Sequence, residues 1–151
     1  MQTFAPLTNL TENARCIDLK RLGKQVIESR QIGKALFNPN YGWQNHPATN
    51  MWRGHEIGLL IYNTFIHREW QSRRNKQHQG YLNMLDDYNF TVSQAVRLAS
   101  RPHVVQEFLP EWWGTHAVHE SHRSNLLRKD RMHYEKFFND VPNNLDYVWP
   151  V

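Results

Sequence analysis

Cysteine is almost absent: Cys16 is the only one in 151 residues. An intrachain disulfide and a cysteine-rich zinc site are therefore excluded, and within a helix the thiol packs as a small apolar group. Long apolar runs are also missing. The longest cluster, Ile57–Tyr62 (IGLLIY), is far short of the roughly 20 residues a membrane-spanning helix needs. The opening MQTFAPLTNLTEN has no basic region followed by an apolar one, so it does not read as a signal peptide, and a reducing cytoplasm is the expected compartment. No P-loop, Rossmann glycine pattern, GxSxG elbow or HExxH motif occurs, which removes the usual signatures of nucleotide-phosphate binding, serine hydrolysis and zinc proteolysis. No stretch reads as a strand, repeat, low-complexity run or interdomain linker.

What remains is basic, aromatic and helical. The net charge is +4 with nine histidines uncounted, and the sequence pI is about 9.4. That balance favours an anionic partner such as nucleic acid. Six Trp, six Tyr and seven Phe supply much of a core, while the mean hydropathy of −0.74 demands a polar coat. The length suits one domain, residues 1–151. The expected fold is all-α: a compact helical bundle with an irregular N-terminal segment and a draped C-terminal tail.

The organising stretch is Arg15–Phe37, RCIDLKRLGKQVIESRQIGKALF. At a helical step of about 100° per residue, Leu19, Leu22, Val26, Gly33 and Phe37 gather on one side as a core stripe. The opposite side collects Arg21, Lys24, Glu28, Gln31 and Ala35, flanked by Ile17 and Ile32. A basic helix around one carboxylate suits a polyanion, with the acid available for chemistry. The same residues suit a solvated face with Lys24 and Glu28 as an i,i+4 ion pair, or a face partly packed through Ile17 and Ile32. Arg30 falls beside the stripe, where it can pair with a buried acid. The first helix is expected to be capped by Thr8 or Thr11 and to run to Phe37, ended by Asn38-Pro39-Asn40. A second, largely apolar helix is expected over 47–74, in the middle of the domain and packed against the first. A mildly acidic connection over 81–90 follows, then a short helix over Val92–Ala99 capped by Thr91. Helices over 116–129 and 131–138 complete the set.

Three further groups are candidates for function. His46 precedes Pro47 at a helix start, where it can cap, or hold a phosphate as a neutral imidazole. The stretch His116–Arg131, HAVHESHRSNLLRKDR, carries His116, His119 and His122 and then Arg123, Arg128 and Lys129. Its cations suit phosphate contacts. Its histidines drift about 60° per step around a helix, unlike a metal site, and are expected to bond backbone or phosphate. Trp43, Trp52, Trp112 and Trp113 read as core or turn packing, though one of them could wedge into DNA or stack on a base. Chemistry is then left to an acid and an amine. The Met1 α-amino group has a reference pKa of about 7.7–8.0 against about 10.4 for lysine, so part of it is a free nucleophile at neutral pH.

The motifs MQTF, IDLKRLGKQVIE, YGWQNHPATNMWRG, WWG with HESHRSNLLRKD, and the final YVWP resemble a bacterial and phage branch of the pyrimidine-dimer DNA glycosylase family, the phage-type endonuclease V. The resemblance implies a small helical glycosylase with associated lyase activity that needs no metal or other cofactor and acts on duplex DNA as a monomer, away from membranes. In that family the N-terminal amine attacks the sugar C1′ and a glutamate in the first long helix stabilises the resulting cation. Carried onto this sequence, the pair is Met1 and Glu28. The DNA contacts would come from Gln2, Arg21, Lys24, Arg30, His46, His119, His122, Arg123, Arg128 and Lys129. Met1-Gln2 stands where characterised members have a small trimmed-to residue followed by arginine, and Ile27 stands where they have arginine before the glutamate. A residue as large as Gln2 keeps Met1 in place. The implied substrate is a damaged or modified pyrimidine. A non-catalytic DNA-binding module, or an enzyme acting on a nucleotide or other small substrate, are the alternative readings.

Overall fold

A computed structural model describes residues 1–150, with the backbone alone for residues 89–92 and 102. The chain runs through α1 (Leu10–Cys16), α2 (Leu19–Phe37), α3 (Pro47–Asn50), α4 (Glu56–Arg74), α5 (Gln79–Asp87), α6 (Asn89–Leu98), α7 (Pro102–Val105), a single 3-10 turn (Gln106–Phe108), α8 (His116–Lys129) and α9 (Arg131–Tyr134). Among the described residues there is no strand, as the patterning predicts. None of these helices is long and apolar enough to cross a membrane.

The expected continuous helix over 12–37 is two helices. Asn9, not Thr8 or Thr11, caps α1, accepting from the Glu12 N–H at 3.0 Å. The chain then extends through Ile17, and Asp18 caps α2 by accepting from the Arg21 N–H at 3.0 Å. Tyr134 Oη donates to the same carboxylate at 2.6 Å, which fixes the corner from the far end of the chain. Arg73 of α4 donates to the carbonyls of Arg15 and Ile17, both at 2.7 Å, satisfying the free end of α1. The expected helix over 47–74 is likewise divided. It breaks between α3 and α4, where Gly54 has φ 84°, a conformation outside any right-handed helix.

α4 is buried around most of its circumference and forms the centre of the domain, with α2 packed along it as predicted. Gly58 allows the close approach at its start, since a Cβ there would lie 2.2 Å from the Phe108 carbonyl oxygen. The buried face of α2 is rotated from the one the apolar stripe predicts. Leu22 and Val26 are buried, but Leu19 and Phe37 at the ends are exposed, and Gln25, Ser29 and Ile32 are buried instead. The polar members are tolerated because α4 and the N-terminal segment bond to them. Asn63 Nδ2, for example, donates to the Val26 carbonyl at 3.2 Å and to Ser29 Oγ.

Downstream, the expected connection over 81–90 is largely helical. His78 caps α5 through Nδ1, accepting from the Gly80 N–H at 3.0 Å. α6 begins at Asn89, ahead of the expected Val92, and the side chain of Thr91, the expected cap, lies outside the described residues. The helix at 116–129 is found as expected, while the one expected over 131–138 is a single turn, Arg131–Tyr134. The tail crosses α8, with the N–H groups of Leu145 and Val148 donating to Ser124 Oγ at 3.0 Å and Ser121 Oγ at 3.2 Å.

Candidate active site

The first residues run extended between α2, α4 and α8, and side chains of these helices bond their backbone at Gln2, Phe4, Ala5 and Pro6. Gln25, fully buried on α2, is the principal one. Its Oε1 accepts from the Phe4 N–H at 2.7 Å, and its Nε2 donates to the Gln2 carbonyl at 2.8 Å and to Glu28 Oε2 at 3.1 Å. Tyr62 Oη lies 2.7 Å from Gln25 Oε1 and 3.0 Å from the Phe4 carbonyl, and its one proton serves the two acceptors. The Phe4 N–H can only donate, so the orientation of the Gln25 amide is determined. Trp52 Nε1 donates to Thr3 Oγ1 at 2.8 Å, and Trp113 Nε1 to the Thr8 carbonyl at 2.8 Å.

Glu28 is the end of this network. The Gln2 N–H donates to its Oε2 at 3.2 Å, and Lys24 Nζ stands 3.4 Å from its Oε1. One residue spans at most roughly 3.6 Å, so the Met1 amine is within roughly 7 Å of the carboxylate. Met1, Gln2, Phe4, Lys20, Arg21, Lys24, Glu28, Lys129 and Tyr147 line one open pocket of about 430 Å³. Its rim carries the exposed cations Lys20, Lys24 and Lys129. His46 belongs to the same electrostatic neighbourhood. Burial lowers its pKa, the Met1 amine lowers it further, and Glu28 opposes both. Its Nδ1 accepts from the Ala48 N–H at 3.0 Å, so it is the cap of α3 and its ring is neutral with the proton on Nε2.

The remaining expected contacts are divided by the fold. His119 and His122, expected to bond backbone or phosphate and carried over as DNA contacts by the resemblance, are buried against the N-terminal segment and bond its backbone. The Ala5 N–H donates to His122 Nδ1 at 2.9 Å. His119 Nδ1 lies 2.6 Å from the Ala5 carbonyl, while its Nε2 accepts from the Gly114 N–H at 2.8 Å. Each ring therefore holds one proton in a defined place: on Nε2 in His122 and on Nδ1 in His119. Arg123 is also turned inward, donating to the Pro6 carbonyl at 3.1 Å and pairing with Asp140 at 3.2 Å. Arg30 pairs with an acid, Asp87, at 2.6 Å, but at an exposed position and not with the buried acid its place beside the stripe suggested. Arg21 is committed to Asp18 at 2.8 Å and to the Lys129 carbonyl at 3.1 Å, although it also lines the pocket. Arg128 is exposed and tied to Asn125 and the Leu145 carbonyl. Among the described residues no group of three or more His, Cys, Asp or Glu side chains is arranged to hold a metal.

Sequence reasoning passed over Gln25, Lys20 and Tyr147 as site residues. Gln25 had a signal available: a polar side chain between Leu22 and Val26 on a core face needs a buried partner. Tyr147 had none, because only folding brings the tail to the pocket.

A family model described as pyrimidine dimer DNA glycosylase matches residues 1–83, more than half of the chain and the part that holds Met1, Gln25, Glu28 and His46. The chain belongs to this family. No curated protein and no solved structure matches it. Membership makes it a DNA glycosylase, an enzyme whose substrate is DNA. The sequence resemblance to that family is thereby established, and α8 with the tail lies beyond the matched part.

The histidine clamp is expected to make the fold less stable in acid. Burial pushes the His122 pKa down to about 3, with His119 nearby adding to the shift, and burial likewise lowers His119. A group whose folded pKa lies below its unfolded value stabilises fully above the unfolded pKa, here about 6.5, and loses that contribution as pH falls toward the folded value. Between pH 6.5 and 5, His122 alone is expected to remove about 2 kcal/mol of stability. Thermal melts from pH 7.5 to 5 should show a falling midpoint that is flatter in His122→Gln. An unchanged wild-type midpoint over this range would contradict it.

Proposed function

We propose that the protein is a DNA glycosylase with associated AP lyase activity that excises a damaged or modified pyrimidine from duplex DNA through its N-terminal amine. The observation that carries this reading is the shared pocket of Met1 and Glu28, with the Gln2 N–H bonded to the Glu28 carboxylate. In its free-base form the Met1 nitrogen bonds to C1′. The N-glycosidic bond breaks and its electron pair leaves with the base, which takes up a proton. A proton then passes from the nitrogen to O4′ as the nitrogen lone pair displaces that oxygen from C1′, giving a protonated, cationic imine and a free 4′-hydroxyl. The Glu28 carboxylate stabilises that cation and accepts the C2′ proton. The electrons of the C2′–H bond expel the 3′-phosphate and cut the strand. Lys20, Lys24 and Lys129 on the rim supply phosphate contacts, Arg128 beyond it adds charge, and Gln2 shapes the pocket next to the reacting carbon. The chain supplies nucleophile, acid and base itself, so activity is expected to survive EDTA.

Borohydride reduces such an imine to a stable amine. Incubation with irradiated duplex DNA and borohydride is expected to yield a covalent protein–DNA adduct whose DNA-bearing peptide begins at Met1. Adding one residue before Met1, or acetylating it, should abolish the adduct and strand cleavage while duplex binding persists. Normal cleavage by the N-terminally extended protein would refute the amine mechanism. Binding without cleavage or adduct on irradiated or modified DNA would leave a DNA-binding module.

A further inference from the structure

Trp52, Trp112 and Trp113 form a buried aromatic cluster with Tyr62, ring centroids 5.3–6.1 Å apart. The indole N–H of each has a partner, Trp112 donating to the Met51 carbonyl at 2.7 Å. Trp43 is different in every respect. It is 58 % exposed, and its backbone has φ 73°. A bulky residue in the left-handed region is strained, whereas glycine adopts it freely. Packing does not account for this choice, because most of the ring faces solvent.

The loop that presents Trp43 is firmly held. Gln44 Nε2 donates to the Ala35 carbonyl at 2.5 Å and the Asn38 carbonyl at 2.8 Å. Arg53 donates to the Gln44 carbonyl at 2.7 Å, and the His46 N–H to the Trp43 carbonyl at 3.2 Å. One edge of the indole meets the His46 ring, 5.5 Å between centroids at 71°. His46 in turn meets Trp149 at 6.2 Å, and Trp149 meets Tyr147 at 5.6 Å, the residue that lines the Met1–Glu28 pocket. The exposed face of Trp43 is thus joined to the wall of the Met1–Glu28 pocket by a continuous run of rings, His46, Trp149 and Tyr147.

We infer that Trp43 is a stacking platform for a nucleobase displaced from the helix beside the reacting sugar. Every base has an apolar π-face that an indole accepts whatever the sequence, and an enzyme acting at C1′ must draw a nucleotide out of the stack to reach it. A strained, rigidly presented aromatic at an active site fits such preorganisation. The inference rests on the reading that DNA lies over the Met1–Glu28 pocket.

The test uses the full-length protein and a duplex bearing a tetrahydrofuran abasic analogue, which the amine cannot convert. Fluorescence anisotropy would give affinity as a function of salt. Trp43→Ala is expected to bind roughly 5- to 150-fold more weakly, the range of one base–aromatic stack, with an unchanged salt slope because no phosphate contact is removed. Trp43→Phe should stay within about threefold of wild type. Trp43→Gly should lose affinity like alanine yet melt no lower than wild type, since glycine relieves the backbone strain. Wild-type affinity in Trp43→Ala or Trp43→Gly, or a loss that tracks a lowered melting temperature, would overturn the platform. If the wild type still gives the borohydride adduct in that case, the platform fails alone. A wild type that neither binds duplex DNA nor forms the adduct overturns both.

Discussion

Glu28→Gln is expected to abolish base release and strand cleavage while leaving DNA affinity within about threefold. The variant keeps an oxygen to accept the Gln2 N–H, which now donates to Glu28 Oε2 at 3.2 Å, and it keeps the volume of the side chain. It loses the negative charge that faces the cationic imine and the site that accepts the C2′ proton. Removing a positioned acid–base group costs roughly 10²–10⁴ in rate, and losing the cation's counter-charge adds to that. The Lys24 pair lost at the same time is partly solvated and contributes little to folding. Single-turnover assays on irradiated duplex DNA, with anisotropy on the same substrate, separate the two effects. Cleavage by Glu28→Gln within tenfold of wild type would remove the carboxylate from the mechanism.

Gln25→Leu should damage both stability and chemistry. Leucine matches the volume but strips the Phe4 N–H and the Gln2 carbonyl of their partners at 2.7 and 2.8 Å. Each orphaned buried group costs roughly 1–3 kcal/mol, so a loss of roughly 2–6 kcal/mol is expected in chemical denaturation. The amine and Glu28 also lose the residue that holds them in register, so kcat should fall while KM changes little. Gln25→Glu separates the two roles. It keeps an acceptor for Phe4 but puts a second carboxylate where an amide now donates to Glu28 at 3.1 Å. Two carboxylates that close raise one another's pKa, so the acidic limb of the pH–rate profile should move upward, a change that a purely structural residue would not cause. An unmoved profile with full activity would show that Gln25 only holds the segment in place.

Helical class and the two long packed helices were legible in the chain, because each is a local or compositional property. Apolar spacing at 3.6 residues places Leu22 and Val26 in the core wherever α2 ends up. Glu28 is conspicuous as the one acid in an otherwise basic stretch between Leu19 and Phe37. The helix breaks were less legible. Asp18 caps α2 through a local bond from the Arg21 N–H, but the corner before it is fixed by Tyr134, 116 residues away, and no pattern near residue 18 contains that contact. The groups that satisfy the buried Gln25 and Ser29 were hidden for the same reason, since Tyr62, Asn63 and the N-terminal segment come from elsewhere in the chain.

The basic stretch of α8 shows the division most plainly. Composition placed cations and histidines there, and that much was correct. Which of them face solvent depends on what packs against α8, and the packing partners are residues 4–6 and the tail. His119, His122 and Arg123 are drawn inward because extended backbone with unpaired N–H and C=O groups lies over them and must be satisfied when buried. Lys129 and Arg128, further along α8, stay exposed, Arg128 reaching only the edge of the tail at the Leu145 carbonyl. The sequence by itself determined the helical fold and the basic character. Tertiary structure alone decided which charges remain free at the pocket and which tryptophan is left uncovered, because burial is set by contacts between residues far apart in the chain.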